Sequence, residues 1–190
     1  MPSPDLNVRD LSVVVTAGAG GAGRVIATTL AEAGARVVTC DLDARAVAEF
    51  GAVRPDIAVI EGDVGEEDTV ERVFAQAERR HGPVDVLVNN VGIAGPTAAV
   101  EEISMDDWAL SLRANLTSHF LCTRRAVPNM KARRSGLIVN ISSGSAKTGL
   151  PLRLPYVVTK GAILSLTTNL ARELGPHGIR VKATLPGAIR

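Results

Sequence analysis

The chain has 190 residues, 46% of them hydrophobic, 22% charged and only 3% aromatic, with a formal net charge of +1. That length suits one domain spanning residues 1–190, and a near-neutral chain with no long run of one sign gives no case for nucleic acid or a membrane surface as partner. Cys40 and Cys122 match no metal or redox spacing, and no leader or long apolar span is read, so no metal is expected and the expected location is cytoplasmic.

Residues 1–10 read as a loose lead-in. Leu11–Thr16 is a short β-branched run, the pattern of a strand buried on both faces in a parallel sheet. The turn Ala17-Gly18-Ala19-Gly20-Gly21-Ala22-Gly23 follows, then a helical pattern from Arg24 to Ala33 stopped by Gly34. Arg36–Asp41 is a second strand and ends on an acid. Together these form a βαβ unit. Its glycines let a pyrophosphate approach the backbone, and the next helix aims its first amides at it. Asp41 lies 18 residues after Gly23, where a carboxylate can accept ribose hydroxyls. It can equally cap a helix over Leu42–Phe50.

The alternation continues. Ile57–Ile60 is a strand running into Asp63-Val64, and Glu66–Arg80 is a helix stopped by His81-Gly82-Pro83. Val84–Val88 is the fourth strand and leads to Asn89-Asn90-Val91-Gly92. Ile93–Ile103 is a loop. Ser104-Met105-Asp106-Asp107 resembles a capping box with Asp for Glu, and it opens a long helix carrying Trp108, Asn115 and Phe120. Leu137–Ile141 is the fifth strand, with Ser142-Ser143 at its end. Tyr156–Glu173 is a helix and Ile179–Leu185 a sixth strand, broken by Pro186-Gly187. Six strands alternating with helices predict an α/β, Rossmann-like, doubly wound parallel sheet. Asp41, Asp63, Asn90 and Ser143 all fall at carboxyl ends of strands, where such sheets bind ligands.

Tyr156 is the only tyrosine, and Lys160 stands four residues on, on the same helix face. An ammonium beside a phenol favours the phenolate, so the pair can pass a proton to or from a substrate oxygen. The bland alternative is a core tyrosine beside a solvent-facing lysine. His81, His119 and His177 have no partner at catalytic or metal spacing and suit surface or helix-end roles. Trp108 suits packing.

With these motifs in this order, residues 7–190 resemble the short-chain dehydrogenase/reductase family. Thr16–Gly23 resembles T-G-x-x-x-G-x-G, with Ala17 where the first glycine usually stands. Asn89–Gly92 resembles N-N-A-G, with Val91 in place of the alanine. Asn115 matches the helix asparagine, Ser143 lies thirteen residues before Tyr156, Tyr156–Lys160 is Y-x-x-x-K, and Pro186-Gly187 matches the P-G after the sixth strand. Lys182 stands where the family usually has asparagine.

The resemblance implies a set of roles. Tyr156 is the general acid or base. Lys160 tunes it and holds the nicotinamide ribose. Ser143, favoured over Ser142 by spacing, holds the substrate oxygen. Asn115 keeps a water in the proton path, or is simply a buried asparagine bonded to backbone. The implied cofactor-binding set is Gly18, Gly20, Gly21, Ala22, Gly23, Asp41, Asp63, Val64, Asn90, Gly92, Tyr156, Lys160 and Ile189. Asp41 predicts NAD over NADP.

The expected activity is NAD(H)-dependent interconversion of a secondary alcohol and a ketone, in a homo-oligomer (dimer or tetramer). Ile93, Ala94, Pro96, Leu150 and Leu152 are expected to line the substrate pocket; Arg153 and Lys147 are the only charges there and either meet an acidic substrate group or, the favoured reading, face solvent. The family usually continues about 50 residues further, through a lid and a seventh strand. The 190 residues alone are therefore expected to bind NAD weakly, turn over poorly and associate through the sixth strand. The alternatives are a catalytically impaired dinucleotide-binding or scaffold protein, or an ordered fragment of a longer enzyme.

Overall fold

The computed structural model describes residues 7–187. Six strands, β1 (Ser12–Thr16), β2 (Arg36–Asp41), β3 (Ala58–Glu61), β4 (Val86–Asn89), β5 (Gly136–Ile141) and β6 (Ile179–Thr184), form one sheet in the order β3-β2-β1-β4-β5-β6. Every pairing is parallel. This is a Rossmann-like doubly wound α/β sheet, and its order reverses between β1 and β4, the position that opens a ligand crevice in such folds.

Helices cover both faces. The helices are α1 (Gly21–Glu32), α2 (Ala44–Val53), α3 (Glu67–His81), α4 (Met105–Leu112), α5 (Ser118–Arg133), α6 (Ser145–Thr148) and α7 (Leu154–Leu174). Strand periodicity divides the core between them. Val13 and Val15 point to one side with Ala27, Val37 and Phe50. Val14 points to the other with Val38, Phe74, Leu87, Met130 and Ile138. With so few aromatics, small side chains carry close contacts. A Cβ on Gly18 would collide with Thr39 Oγ1 in β2, and one on Gly136 would fall 2.5 Å from Met130 Sδ.

Three local features differ from the sequence reading. First, α1 starts inside the glycine turn, at Gly21, and α7 starts at Leu154 with Pro155 in its first turn, where a missing amide costs nothing. Second, Asp41 does not cap α2. It remains in β2, paired in register with Glu61, and Asp43 takes the cap, its Oδ1 accepting from the amides of Arg45 and Ala46 at 2.9 and 3.2 Å. Third, the long helix after Ser104 is interrupted by a π turn, Arg113–Thr117, between α4 and α5. Ser104 does cap α4, its hydroxyl accepting from the Asp107 amide at 3.0 Å.

Candidate active site

A cleft of about 700 Å³ opens at the reversal point, along the carboxyl ends of β1, β4 and β5. It is lined at one end by Ala17, Gly20, Gly21, Ala22, Gly23 and Asp41, and at the other by Ser142, Ser143, Leu150, Arg153, Tyr156 and Lys160. Asn90 and Gly92 sit between.

The glycine end is built from backbone. A Cβ on Gly20 or Gly21 would meet nothing within 4 Å, so main chain faces open space there. The first amides of α1 have no intrahelical acceptor, and they lie at that same lining. Gly23 is tight: a Cβ would run into the Ala17 carbonyl oxygen and fall 2.5 Å from Asn90 Nδ2. Thr16 holds the loop to β4. Its Oγ1 accepts from the amides of Asn90 (2.9 Å) and Val91 (3.1 Å), and Asn90 Nδ2 returns bonds to the carbonyls of Thr16 (3.0 Å) and Ala17 (3.1 Å). Ala17 has φ +51°, a left-handed conformation. An L-residue there carries about 1–2 kcal/mol of strain, which explains why glycine is usual at this position. Asp41 Oδ2 accepts from the Ala19 amide (3.1 Å) and Oδ1 from the Asp43 amide (3.3 Å). Lone pairs remain on both oxygens. Backbone open to a phosphate, a helix amino end and a carboxylate at the tip of β2 fit a dinucleotide.

Not every expected residue reaches this lining. Gly18 is buried against β2, as above. Val64 is 3% exposed, in the core with Phe74. Asp63 Oδ2 pairs with Arg113 at 2.9 Å, and its Oδ1 accepts from the Gly65 amide at 2.8 Å. Ile189 lies outside the described residues. Pro96 and Leu152 lie off the cleft, Leu152 lining a neighbouring hollow with Ala98 and Val100.

The other end is built from side chains. Tyr156 is half-buried on the first turn of α7. Lys160, one turn on and 4% exposed, places Nζ 5.8 Å from the Tyr156 ring centroid and donates to the Ile141 carbonyl at 2.9 Å. Lys160 is therefore not the solvent-facing residue of the bland alternative. Burial lowers its pKa to about 8. Gly92 is the matching concavity: a Cβ there would lie 3.0 Å from Nζ and 3.5 Å from Asn115 Oδ1.

The two serines are distinguished by their bonds. Ser142 Oγ, 3% exposed, donates to the Lys160 carbonyl at 2.7 Å, fixing α7 to β5. Ser143 is half-buried and among the described residues its Oγ meets only Ser145, the hydroxyl at 2.8 Å and the amide at 3.3 Å, so it retains capacity for a substrate oxygen. Asn115 sits in the π turn, fully buried. Its Oδ1 accepts from the Ile93 amide (2.7 Å), and Nδ2 donates to the Ile93 carbonyl (3.0 Å) and to Thr159 Oγ1 (3.0 Å). Thr159 Oγ1 in turn donates to the Tyr156 carbonyl at 2.8 Å. Asn115 thus ties the loop after β4 to the turn carrying Tyr156.

Two expectations are corrected here. His119 is not at the surface, although it does stand at a helix end, as the second residue of α5. It is fully buried, its Nε2 lies 3.3 Å from the Val91 carbonyl, and burial with the Lys160 charge lowers its pKa to about 3. Arg153 is not a solvent-facing charge: it is half-buried in the cleft wall, its Nη1 donating to the Gly95 carbonyl at 2.8 Å. Lys147 does face solvent. Sequence reading missed Thr16 and Thr159 as clamps. Their signal was a threonine at a strand end and another inside an apolar helix.

A parallel sheet with this reversal, and a cleft joining a glycine turn to a tyrosine–lysine pair, define a Rossmann-type oxidoreductase. A family model described as short chain dehydrogenase matches residues 12–190, and the chain belongs to that family. It is similar to an uncharacterized oxidoreductase of Thermotoga maritima, 34% identical over 96% of this chain and 73% of that protein. It is also similar to a 3beta-hydroxysteroid dehydrogenase of Mediterraneibacter gnavus, 35% identical over 92% of this chain and 64% of that protein. A third relative is a 3-oxoacyl-acyl-carrier-protein reductase of Staphylococcus aureus, 35% identical over 94% of this chain and 74% of that protein. Among the described residues no helix is long and apolar enough to cross a membrane, and no group of His, Cys, Asp and Glu is arranged to hold a metal.

Proposed function

We propose that this protein is an NAD(H)-dependent oxidoreductase interconverting a secondary alcohol and a ketone. The observation that carries the reading is the joining, in one cleft, of Ser143, Tyr156 and Lys160 with the open glycine turn and Asp41. The names of the hydroxysteroid dehydrogenase and oxoacyl reductase relatives agree with it. A bound nicotinamide would supply the hydride acceptor or donor. Gly20–Gly23 and the start of α1 would hold the pyrophosphate, Asp41 the adenosine ribose, and Lys160 the nicotinamide ribose.

Tyr156 gives its phenolic proton to the ketone oxygen in reduction and takes it back in oxidation. Ser143 donates to the same oxygen and stabilises charge developing there. Lys160 places a cation one helix turn from Tyr156, its Nζ 5.8 Å from the ring centroid. Asn115 holds Ile93 and the Tyr156 turn in place. We further read the working form as a homo-oligomer, a dimer or tetramer, which mass in solution measures directly.

Tyr156→Phe tests the reading. Turnover at saturating substrate should fall by at least about 100-fold, the scale of general acid–base catalysis, while NADH affinity measured by calorimetry holds. Unchanged turnover removes Tyr156 from the chemistry. Loss of NADH binding in the wild type removes the cofactor assignment.

A further inference from the structure

Among the described residues, two cations line the cleft without an acid to answer them, Lys160 and Arg153, and Arg153 is the one not turned to the sheet. Arg153 is the N-cap residue of α7, three residues before Tyr156. It lines the cleft with Ile93, Ala94, Leu150 and Ser143. Its Nη1 donates to the carbonyls of Gly95 at 2.8 Å and Ala94 at 3.4 Å, which fixes the guanidinium without neutralising it. Arg153 meets no carboxylate among the described residues, and it is the arginine of the cleft lining. Its Nε–Nη2 edge makes no bond there either. That edge is a planar two-donor fork, the shape that matches a carboxylate.

The surroundings favour an anion as well. Arg153 stands at the positive end of a 21-residue helix. The other charged residues lining the cleft are Asp41, at the glycine end, and Lys160, whose Nζ is turned to the Ile141 carbonyl. The approach to Arg153 is over-determined. Leu152 has φ +62°, a conformation a bulky residue rarely adopts. It is held there by the Ala98 amide donating to its carbonyl at 3.1 Å and by the Arg153 amide closing a turn onto Leu150 at 3.2 Å. Backbone strain kept in place beside a cleft is characteristic of ligand clamps.

We propose that the substrate carries a carboxylate near its reacting ketone or alcohol, and that Arg153 binds this carboxylate while Tyr156 and Ser143 meet the reacting oxygen. The proposal rests on the alcohol–ketone chemistry above and specifies its substrate class.

The test uses the full chain with saturating NADH and three probe acids, pyruvate, acetoacetate and levulinate, each beside its uncharged methyl ester. These vary the spacing between ketone and carboxylate. In the wild type at least one acid should exceed its ester in kcat/KM by about 10- to 100-fold, carried by KM, the scale of a hydrogen bond to a charged group. Arg153→Gln should abolish that preference, lowering kcat/KM for the acid about 10- to 100-fold more than for its ester. Arg153→Lys, which keeps the charge and loses the fork, should fall between.

Equal use of acid and ester by the wild type overturns the proposal, as does a preference that survives Arg153→Gln. A fall in acid and ester alike in Arg153→Gln also overturns it, because that marks Arg153 as only a tie to the loop at Gly95. Calorimetric titration of the same pairs into NADH-loaded protein reads recognition without turnover. Acid-selective binding lost in Arg153→Gln supports the carboxylate site even where no pair reacts, and unselective or absent binding overturns it. NADH titration alone judges the cofactor reading separately.

Discussion

The two ends of the cleft are made of different materials. From β1 to α3 the buried polar side chains are hydroxyls alone: Ser12, Thr16, Thr39 and Thr69. From β4 onward the fold buries an ammonium, an imidazole and the amides of Asn89, Asn115 and Asn140. The glycine end therefore achieves its shape by leaving side chains out, and its weak point is volume. The tyrosine–lysine end achieves its shape by taking polar groups in. Asn89 Nδ2 donates to Asn140 Oδ1 at 2.9 Å, and Asn140 Nδ2 to Thr167 Oγ1 at 2.9 Å, joining β4, β5 and α7 through the interior. Its weak point is the cost of burying charge and dipole.

Substitutions sharpen that contrast, beginning with the largest effect. Gly23→Ala puts a methyl against the Ala17 carbonyl and 2.5 Å from Asn90 Nδ2, so the backbone of the glycine turn must shift to admit it. We expect about 3 kcal/mol of destabilisation in urea unfolding, the upper range of overpacking, together with loss of NADH binding. A mutant of wild-type stability would show that the glycine end is not limited by volume.

Lys160→Met should act oppositely on stability and activity. The folded pKa of Lys160, about 8, lies below the ordinary 10.5, so at pH 7 the fold holds a charge it disfavours. Removing the ammonium should stabilise the protein by about 1–3 kcal/mol while turnover collapses. The sign with pH follows from proton counting. Between pH 8 and 10.5 the unfolded chain keeps a proton the folded chain has released, so wild-type stability rises through that window. The advantage of Lys160→Met should shrink over the same window. A constant difference across it would show that Lys160 is not paying a desolvation cost.

The smallest effect concerns Asp41, whose proposed role is toward the cofactor. NAD(H) should bind more tightly than NADP(H), because a 2′-phosphate would face the carboxylate. Asp41→Ala should narrow the gap by about 10-fold, roughly 1.4 kcal/mol, with little change in unfolding. Equal affinities in the wild type would refute the preference.

Much of this was legible in the sequence. All six strands were located: β1, β2 and β4 by the continuous apolar runs that strands buried on both faces leave, and β6 by alternation, its side chains buried and exposed in turn. The glycine turn, Asp41, Ser143, Tyr156 and Lys160 could be named from spacing and motif, and the cleft does gather them. What stayed hidden depends on three-dimensional context. Two acids two residues apart can both cap a helix, and only the pairing of Asp41 with Glu61 decides for Asp43. Val64 follows a strand end as a ligand residue would, yet its side chain turns into the core. His119 and Arg153 look like surface charges in a string of letters, and both are drawn inward by elements distant in sequence.

The π turn at Arg113–Thr117 has a consequence for the chain around it. A π turn holds one residue more than an α turn, so the side chains of α4 and α5 are out of step by about 100°. The two segments obey two reading frames: α4 packs on α7, and α5 on α3 and the sheet. Substitutions within either frame can be absorbed one at a time. A single-residue deletion near Asn115 would instead bring the frames back into phase and swing one whole face away from its partner. This stretch should tolerate spelling changes far better than a change of length.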